Sequence, residues 1–198
     1  MLAFKPWTSL IGRGKQDSSL TVHVTAPSDY FKRADAFIED VKYLTKQELR
    51  GLNKAFLAKL LFDNFLDKIR EGIDLYDYLL SLREAHGSLL EMSRETAASK
   101  KASGKADNSR FQWNLSSTSC KAESDGYWML PIKLHSHEAA RVDVFFDDLL
   151  WKGLPLHMEL EELLSLLFIE FIHAVRTGFS DETKQEIIDF ILSKWEEH

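Results

Sequence analysis

The chain has 198 residues, of which 44% are hydrophobic and 28% are charged, with one cysteine and a formal net charge of −6. This length and hydrophobic content suit one domain or two small ones, and they exclude a wholly disordered chain. A single cysteine excludes an intramolecular disulfide framework. The N-terminal segment has no basic stretch followed by an apolar run, so we expect a cytoplasmic protein.

Charge is unevenly distributed along the sequence. Residues 1–110 contain 18 Lys and Arg against 15 Asp and Glu, whereas residues 111–198 contain 7 against 16. Because proteins bind nucleic-acid phosphates through clustered cations, the acidic second half is not expected to bind nucleic acid. The mildly basic first half keeps a nucleic-acid-associated regulator open as an alternative function.

Residues 1–28 are predicted to form a leader with one short strand at Thr21–Thr25, where β-branched residues alternate. The segment Gly12–Ser19 has the composition of a phosphate-binding loop. Its spacing departs from that motif, because Ser9 stands where the first glycine is needed and Gln16 where Ser or Thr is needed. We therefore predict no phosphate site here.

Residues 29–98 are predicted to form a helical region. Ser28 or Asp29 can cap a first helix, and Thr45–Glu48 is a capping-box pattern for a second helix. Asp74 can cap a third helix, which the pair His86-Gly87 is expected to break. The second helix has more apolar residues than one face can hold, so we expect it to lie against the apolar segment Leu163–Val175.

Three helices in succession also raise the possibility of helix-turn-helix DNA binding. That motif needs a polar, basic recognition helix after the turn. The third helix instead begins with Tyr76, Asp77 and Tyr78, which favours ordinary helical packing.

Residues 99–109 are small and polar and include Lys100, Lys101 and Lys105. They cannot bury enough apolar surface to offset the entropy of ordering. This segment is predicted to be a flexible basic linker and the best candidate for a domain boundary.

Residues 110–198 are predicted to form an antiparallel sheet of about three strands followed by a helical hairpin, as one composite domain. Apolar residues alternate in Phe111–Leu115, Trp128–Leu134 and Val142–Phe146. The last two strands are expected to pair, with residues 135–141 as the hairpin loop. Pro131 has no N–H to donate, so its strand should have an open edge or a bulge.

The segment Leu163–Val175 is predicted to be the central helix, because ten of its thirteen residues are apolar. It is too short to span a bilayer, which takes about 20 apolar residues. The helix should run from about Leu156 to Thr177 and stop at Gly178, with His173 in the core. A last helix, started by Ser180, should pack back against it. The fold class is therefore α+β.

His135 and His137 are the densest pair of ligand-type residues. In an extended segment both imidazoles would face one side, so with Asp143 they could hold a divalent metal. This supports a metal-dependent enzyme as an alternative function. Cys120 near these histidines is a weaker candidate nucleophile, because it lies in a polar stretch. No family spacing for a catalytic, metal or cofactor site is present, so no catalytic residue and no cofactor is predicted.

The aromatic content is high, with 13 Phe, 5 Tyr and 5 Trp. Exposed aromatic residues and Met are enriched at protein interfaces. We predict partner binding through Trp113, Met129, Trp151 and Trp195. The sequence thus favours a non-enzymatic protein-interaction module, an adaptor or chaperone-like subunit of a larger cytoplasmic assembly, with other proteins as partners. Self-association into a homo-oligomer stays open.

Overall fold

A computed structural model describes residues 19–46, 49, 51–102 and 126–196. This part of the chain forms six helices and a two-stranded antiparallel sheet, which confirms the α+β class. The elements in chain order are β1 (Ser19–Pro27), α1 (Ser28–Thr45), α2 (Lys54–Arg70), α3 (Tyr76–Ala102), β2 (Tyr127–His135), α4 (Ser136–Trp151), α5 (Leu160–Thr177) and α6 (Asp181–Glu196).

The sheet joins two strands that are far apart in the sequence. The ladder runs from Ser19 opposite His135 to Pro27 opposite Tyr127. The structure confirms the strands predicted at Thr21–Thr25 and Trp128–Leu134. The predicted pairing was wrong, since β2 pairs with β1 and not with residues 142–146.

The strand predicted at Val142–Phe146 is part of helix α4, so the three-strand prediction is wrong for this segment. Residues 135–141 are correspondingly not a hairpin loop, because they end β2 and begin α4. Val142, Phe146 and Leu149 are buried, and their spacing of four and three residues places them on one helix face. Val144 lies between Val142 and Phe146 in the alternating apolar pattern that suggested a strand, but it is exposed. The remaining predicted strand, Phe111–Leu115, lies outside the described residues.

Helix α1 begins at Ser28, but the predicted cap by Ser28 or Asp29 is wrong, since Pro27 is the N-cap and no side chain makes a cap hydrogen bond. The predicted start of the second helix is also wrong. Helix α1 continues to Thr45 and ends where Lys46 adopts a left-handed conformation with φ of 51°. The predicted capping box at Thr45–Glu48 is therefore wrong. Helix α2 begins at Lys54, and the Asn53 side chain accepts a hydrogen bond from the Phe56 N–H.

Asp74 caps α3 as predicted, because its carboxylate accepts a hydrogen bond from the Tyr76 N–H at 3.0 Å. The predicted break at His86-Gly87 is wrong, since α3 continues through it to Ala102. Burial of Leu82, His86 and Leu90 on one face outweighs the weak helix propensity of Gly87. Helix α3 also covers the first residues of the segment predicted as a linker, 99–109. The rest of that segment lies outside the described residues.

Helix α5 is the core of the fold, as the sequence predicts. Every residue from Leu163 to Ile169 is buried, and the helix contacts β1, α1, α2 and α3. It begins at Leu160 and not at Leu156, because Leu156 and Met158 are buried in the non-helical segment before it. Gly178, with a φ of 88°, ends it as predicted. Across the described ranges, none of the helices combines the length and the apolar character needed to cross a bilayer.

Helix α6 begins after Ser180, whose hydroxyl accepts a hydrogen bond from the Thr183 N–H at 3.2 Å. Ile188 and Ile191 are buried in the core. The Trp195 ring packs edge-on against Phe56 with 5.3 Å between centroids, so α6 contacts α2.

Candidate interaction surface

The two edges of the sheet differ in how their backbone groups are satisfied. Ser28 N–H donates to the Gly126 carbonyl at 2.9 Å, so the even-numbered residues of β1 and β2 are the ones that form hydrogen bonds between the two strands. In an antiparallel pair the odd-numbered residues then direct N–H groups away from the neighbouring strand. On β1 these groups meet α5, since His23 N–H donates to the Glu161 carboxylate at 3.0 Å and Thr25 N–H to Ser165 Oγ at 2.9 Å.

The outer edge of β2 is less covered. His135 N–H donates to the Glu138 carboxylate at 2.8 Å. The N–H groups of Met129 and Lys133 have no hydrogen-bond partner among the residues that the structure describes. Pro131 lies between them without an N–H, as its sequence position predicts. A proline and a lysine on an edge strand are common protections against strand addition, so this edge alone is a poor docking site.

The three candidate metal ligands are not all brought together. His135 ends β2 and His137 lies in the first turn of α4, with their rings stacked at 5.3 Å between centroids. Asp143 is six residues further along α4, about 9 Å along the helix axis. The predicted extended conformation is wrong for His137 and Asp143, which lie on helix α4. Within the described ranges, no three His, Cys, Asp or Glu side chains are close enough to hold a metal ion.

A charged cluster near His135 joins α2 to the start of α4. The Lys59 ammonium contacts Asp63 and also lies 2.9 Å from the carboxylate of Glu138, which is almost fully buried. Burial raises the pKa of Asp63, and its hydrogen bond with Lys59 only partly offsets this. Burial also pushes the pKa of Glu138 upward, but hydrogen bonds from Lys59 and His135 outweigh it, so the pKa falls below its ordinary value. This cluster therefore anchors α4 electrostatically.

The opposite side of α4 carries the largest exposed side chain of this region. We define the α4 outer face as Asp143, Val144, Asp147, Leu150 and Trp151, which helical spacing places on one side of the helix. Trp151 is 87% exposed, Leu150 64% and Val144 48%. Asp143 and Asp147 are also exposed, so the apolar side chains share this face with carboxylates.

The C-terminal end of α4 carries two carboxylates, and Lys152 stands at its C-cap. Its last turn contains Asp147 and Asp148 and no basic residue. The negative end of the helix macrodipole lies at the same place, where carboxylates are unfavourable and cations are favoured. This end of α4 therefore has an electrostatic preference for a cationic neighbour.

The predicted partner-binding residues have different environments. Trp151 lies on the α4 outer face, and Met129 is 61% exposed on the solvent side of β2. Trp195 is half-buried against Phe56. Trp113 lies outside the described residues, as does the candidate nucleophile Cys120.

The prediction that His173 lies in the core was wrong, because it is exposed on α5. The buried histidine is His86 of α3, which is hydrogen-bonded to the Glu170 carboxylate at 2.5 Å. Leu150 was missed as a surface residue. A helical period applied across residues 138–151 would have placed it about 80–100° around the helix from Val142 and Leu149, outside their buried face.

No protein-family model matches this sequence, and neither the curated proteins nor the solved structures include one with significant similarity to it.

Proposed function

We propose that this protein is a non-enzymatic protein-interaction module, an adaptor or chaperone-like subunit of a larger cytoplasmic assembly. The α4 outer face is its docking surface for another protein. The observation that carries the proposal is the 87% exposure of Trp151 beside the exposed Leu150. Tryptophan is the residue type most often found among the energetic hot spots of protein interfaces.

The charge on this face specifies the chemistry of the partner. Asp143 and Asp147 flank the apolar side chains, and the helix end adds partial negative charge. A complementary surface would offer an apolar slot for Trp151 with Lys or Arg beside it. An arginine could pair with Asp147 and also stack on the indole ring.

The same charge argues against self-association through this face. A twofold symmetric dimer places the same patch of both copies together. The carboxylates of Asp143, Asp147 and Asp148 would then lie near their own copies, and like charges at an interface are costly. The proposed partner is therefore a different protein with a basic surface.

The test is an affinity pull-down from the native host, analysed by mass spectrometry, with the wild type, Trp151→Ala and Asp147→Lys as baits. We expect a partner with a basic binding surface that is lost with both variants. Hot-spot truncation costs 2 kcal/mol or more, which is about thirtyfold in affinity. The wild-type interaction should also weaken with added salt, because its charges are exposed.

Tyr43→Ala is the matched control, since Tyr43 of α1 is also a largely exposed aromatic residue. It should retain the partner. Recovery of the bait alone at native expression would contradict the proposal. Retention of every partner by Trp151→Ala would remove the α4 outer face from it.

A further inference from the structure

A second apolar feature lies between α2, α5 and α6. It is a cavity of about 290 Å³, close to the lower limit of ordinary small-molecule pockets. Its walls are mainly aliphatic and aromatic, including Leu57, Leu61, Phe171, Ala174, Ile187 and Phe190.

The cavity extends along one face of α2. Its lining residues on that helix run from Leu57 to Lys68, a distance of about 16 Å at the rise of an α-helix. The Leu57 end is apolar and the Lys68 end is polar. The cavity is therefore elongated, with apolar walls along most of its length and one polar end.

The polar end contains the Lys68 ammonium and the Asn64 amide. Among the described residues, Lys68 makes no salt bridge, and its ammonium lies 5.9 Å from the centroid of the Tyr78 ring. Asn64 precedes it by one helical turn, so both side chains lie on the same face. Glu170 also lines the cavity, and its carboxylate is hydrogen-bonded to His86 at 2.5 Å.

We propose that this cavity binds a medium-chain aliphatic carboxylate, such as a fatty acid, with its chain along α2 and its carboxylate between Lys68 and Asn64. The apolar walls supply the free energy of burying the chain. The ammonium supplies the charge complement, and the Asn64 amide supplies a hydrogen-bond donor to the same head group. This site is separate from the α4 outer face and does not depend on it.

The test is isothermal titration calorimetry of the full chain with octanoate, decanoate and dodecanoate, each below the concentration at which it forms micelles. We expect saturable binding of one molecule per chain. Each added methylene that becomes buried should tighten binding about fourfold. Decanol should bind the wild type about threefold to fivefold more weakly than decanoate does, as expected for loss of an exposed charge pair. Decanoate should bind Lys68→Gln more weakly by the same factor.

Ala174→Leu fills the cavity with an apolar side chain on a helix and should abolish decanoate binding without unfolding the protein. Ala36→Leu makes the same change at an exposed position of α1 and is the matched control. Equal binding by Ala174→Leu and the wild type would overturn the site. Equal binding of decanol and decanoate, with no effect of Lys68→Gln, would overturn the assignment of a carboxylate ligand.

Discussion

Helices α4 and α5 are of similar length, but they use their apolar residues in opposite ways. Helix α5 buries seven consecutive residues, Leu163–Ile169, and contacts β1 and three helices. Helix α4 buries Val142, Phe146 and Leu149 on one face and leaves Trp151 and Leu150 in solvent. Apolar content alone therefore does not distinguish a core helix from a docking helix. The two kinds of helix differ in how many of their faces are covered by other elements.

The largest difference should appear when the two helices are truncated at an aromatic residue. Phe168 is fully buried on α5, and its ring stacks on Phe31 with 5.1 Å between centroids. We expect Phe168→Ala to reduce the free energy of unfolding by about 3–5 kcal/mol, because it removes buried contacts and leaves a cavity. Urea denaturation followed by circular dichroism measures this loss.

Phe168→Leu is the control for Phe168→Ala, since it keeps most of the apolar contact and should cost much less. A loss below about 1 kcal/mol for Phe168→Ala would show that the site collapses easily around the missing ring. It would then remove the main contrast between α5 and α4.

An intermediate effect is expected where α4 is anchored. Glu138→Gln keeps the shape of the side chain but removes the charge that accepts hydrogen bonds from Lys59 and His135. We expect a loss of about 1–3 kcal/mol at pH 7, because a buried charged hydrogen-bond partner is replaced by a poorer one. Denaturant titration at pH 7 measures it.

The pKa shifts of Glu138 and Asp63 predict how the stability effect of Glu138→Gln changes with pH. The folded-state pKa of Glu138 is lowered, so its stabilising contribution is complete above its unfolded pKa of about 4.3 and is lost as pH falls through the lower folded value. Asp63 has the opposite shift, so its contribution opposes that of Glu138 in the acid range. Glu138→Gln should therefore lose less stability than the wild type between pH 5 and pH 2, about where these carboxyls titrate. Parallel pH profiles would contradict the role given to Glu138.

The difference between α4 and α5 also explains which parts of the fold the sequence could predict. Helix α5 was predictable because an apolar run of that length with leading carboxylates has few alternatives. The five residues Val142–Phe146 fit a strand as well as a helix, and a short window cannot decide between them. The full sixteen residues of α4 distinguish the two, because only the helical spacing places Val142, Phe146 and Leu149 on one face.

The pairing of β1 with β2 could not be predicted from local sequence patterns. The residues of β1 lie 100 to 116 residues earlier in the chain than their partners in β2, and no hairpin or turn sequence specifies that register. Trp151 was among the residues predicted to bind a partner, which requires it to be exposed. That the acidic side chains of Asp143 and Asp147 share its face follows only from recognising α4 as a helix.

The smallest effect tests whether the acidic end of α4 is free in the isolated protein. Asp147 is exposed in the last turn of α4, where the macrodipole disfavours a carboxylate. We expect Asp147→Asn to stabilise the fold by about 0.3–0.5 kcal/mol at low ionic strength and to have no effect in about 1 M salt, where charges are screened within a few ångströms. Thermal unfolding at the two salt concentrations measures the difference. Asp77→Asn is the matched control of opposite sign, because Asp77 lies in the first turn of α3, where a carboxylate is favourable. If Asp147→Asn is instead destabilising, Asp147 already has a cationic partner within the chain, and a basic docking protein would have to displace that partner before it could bind.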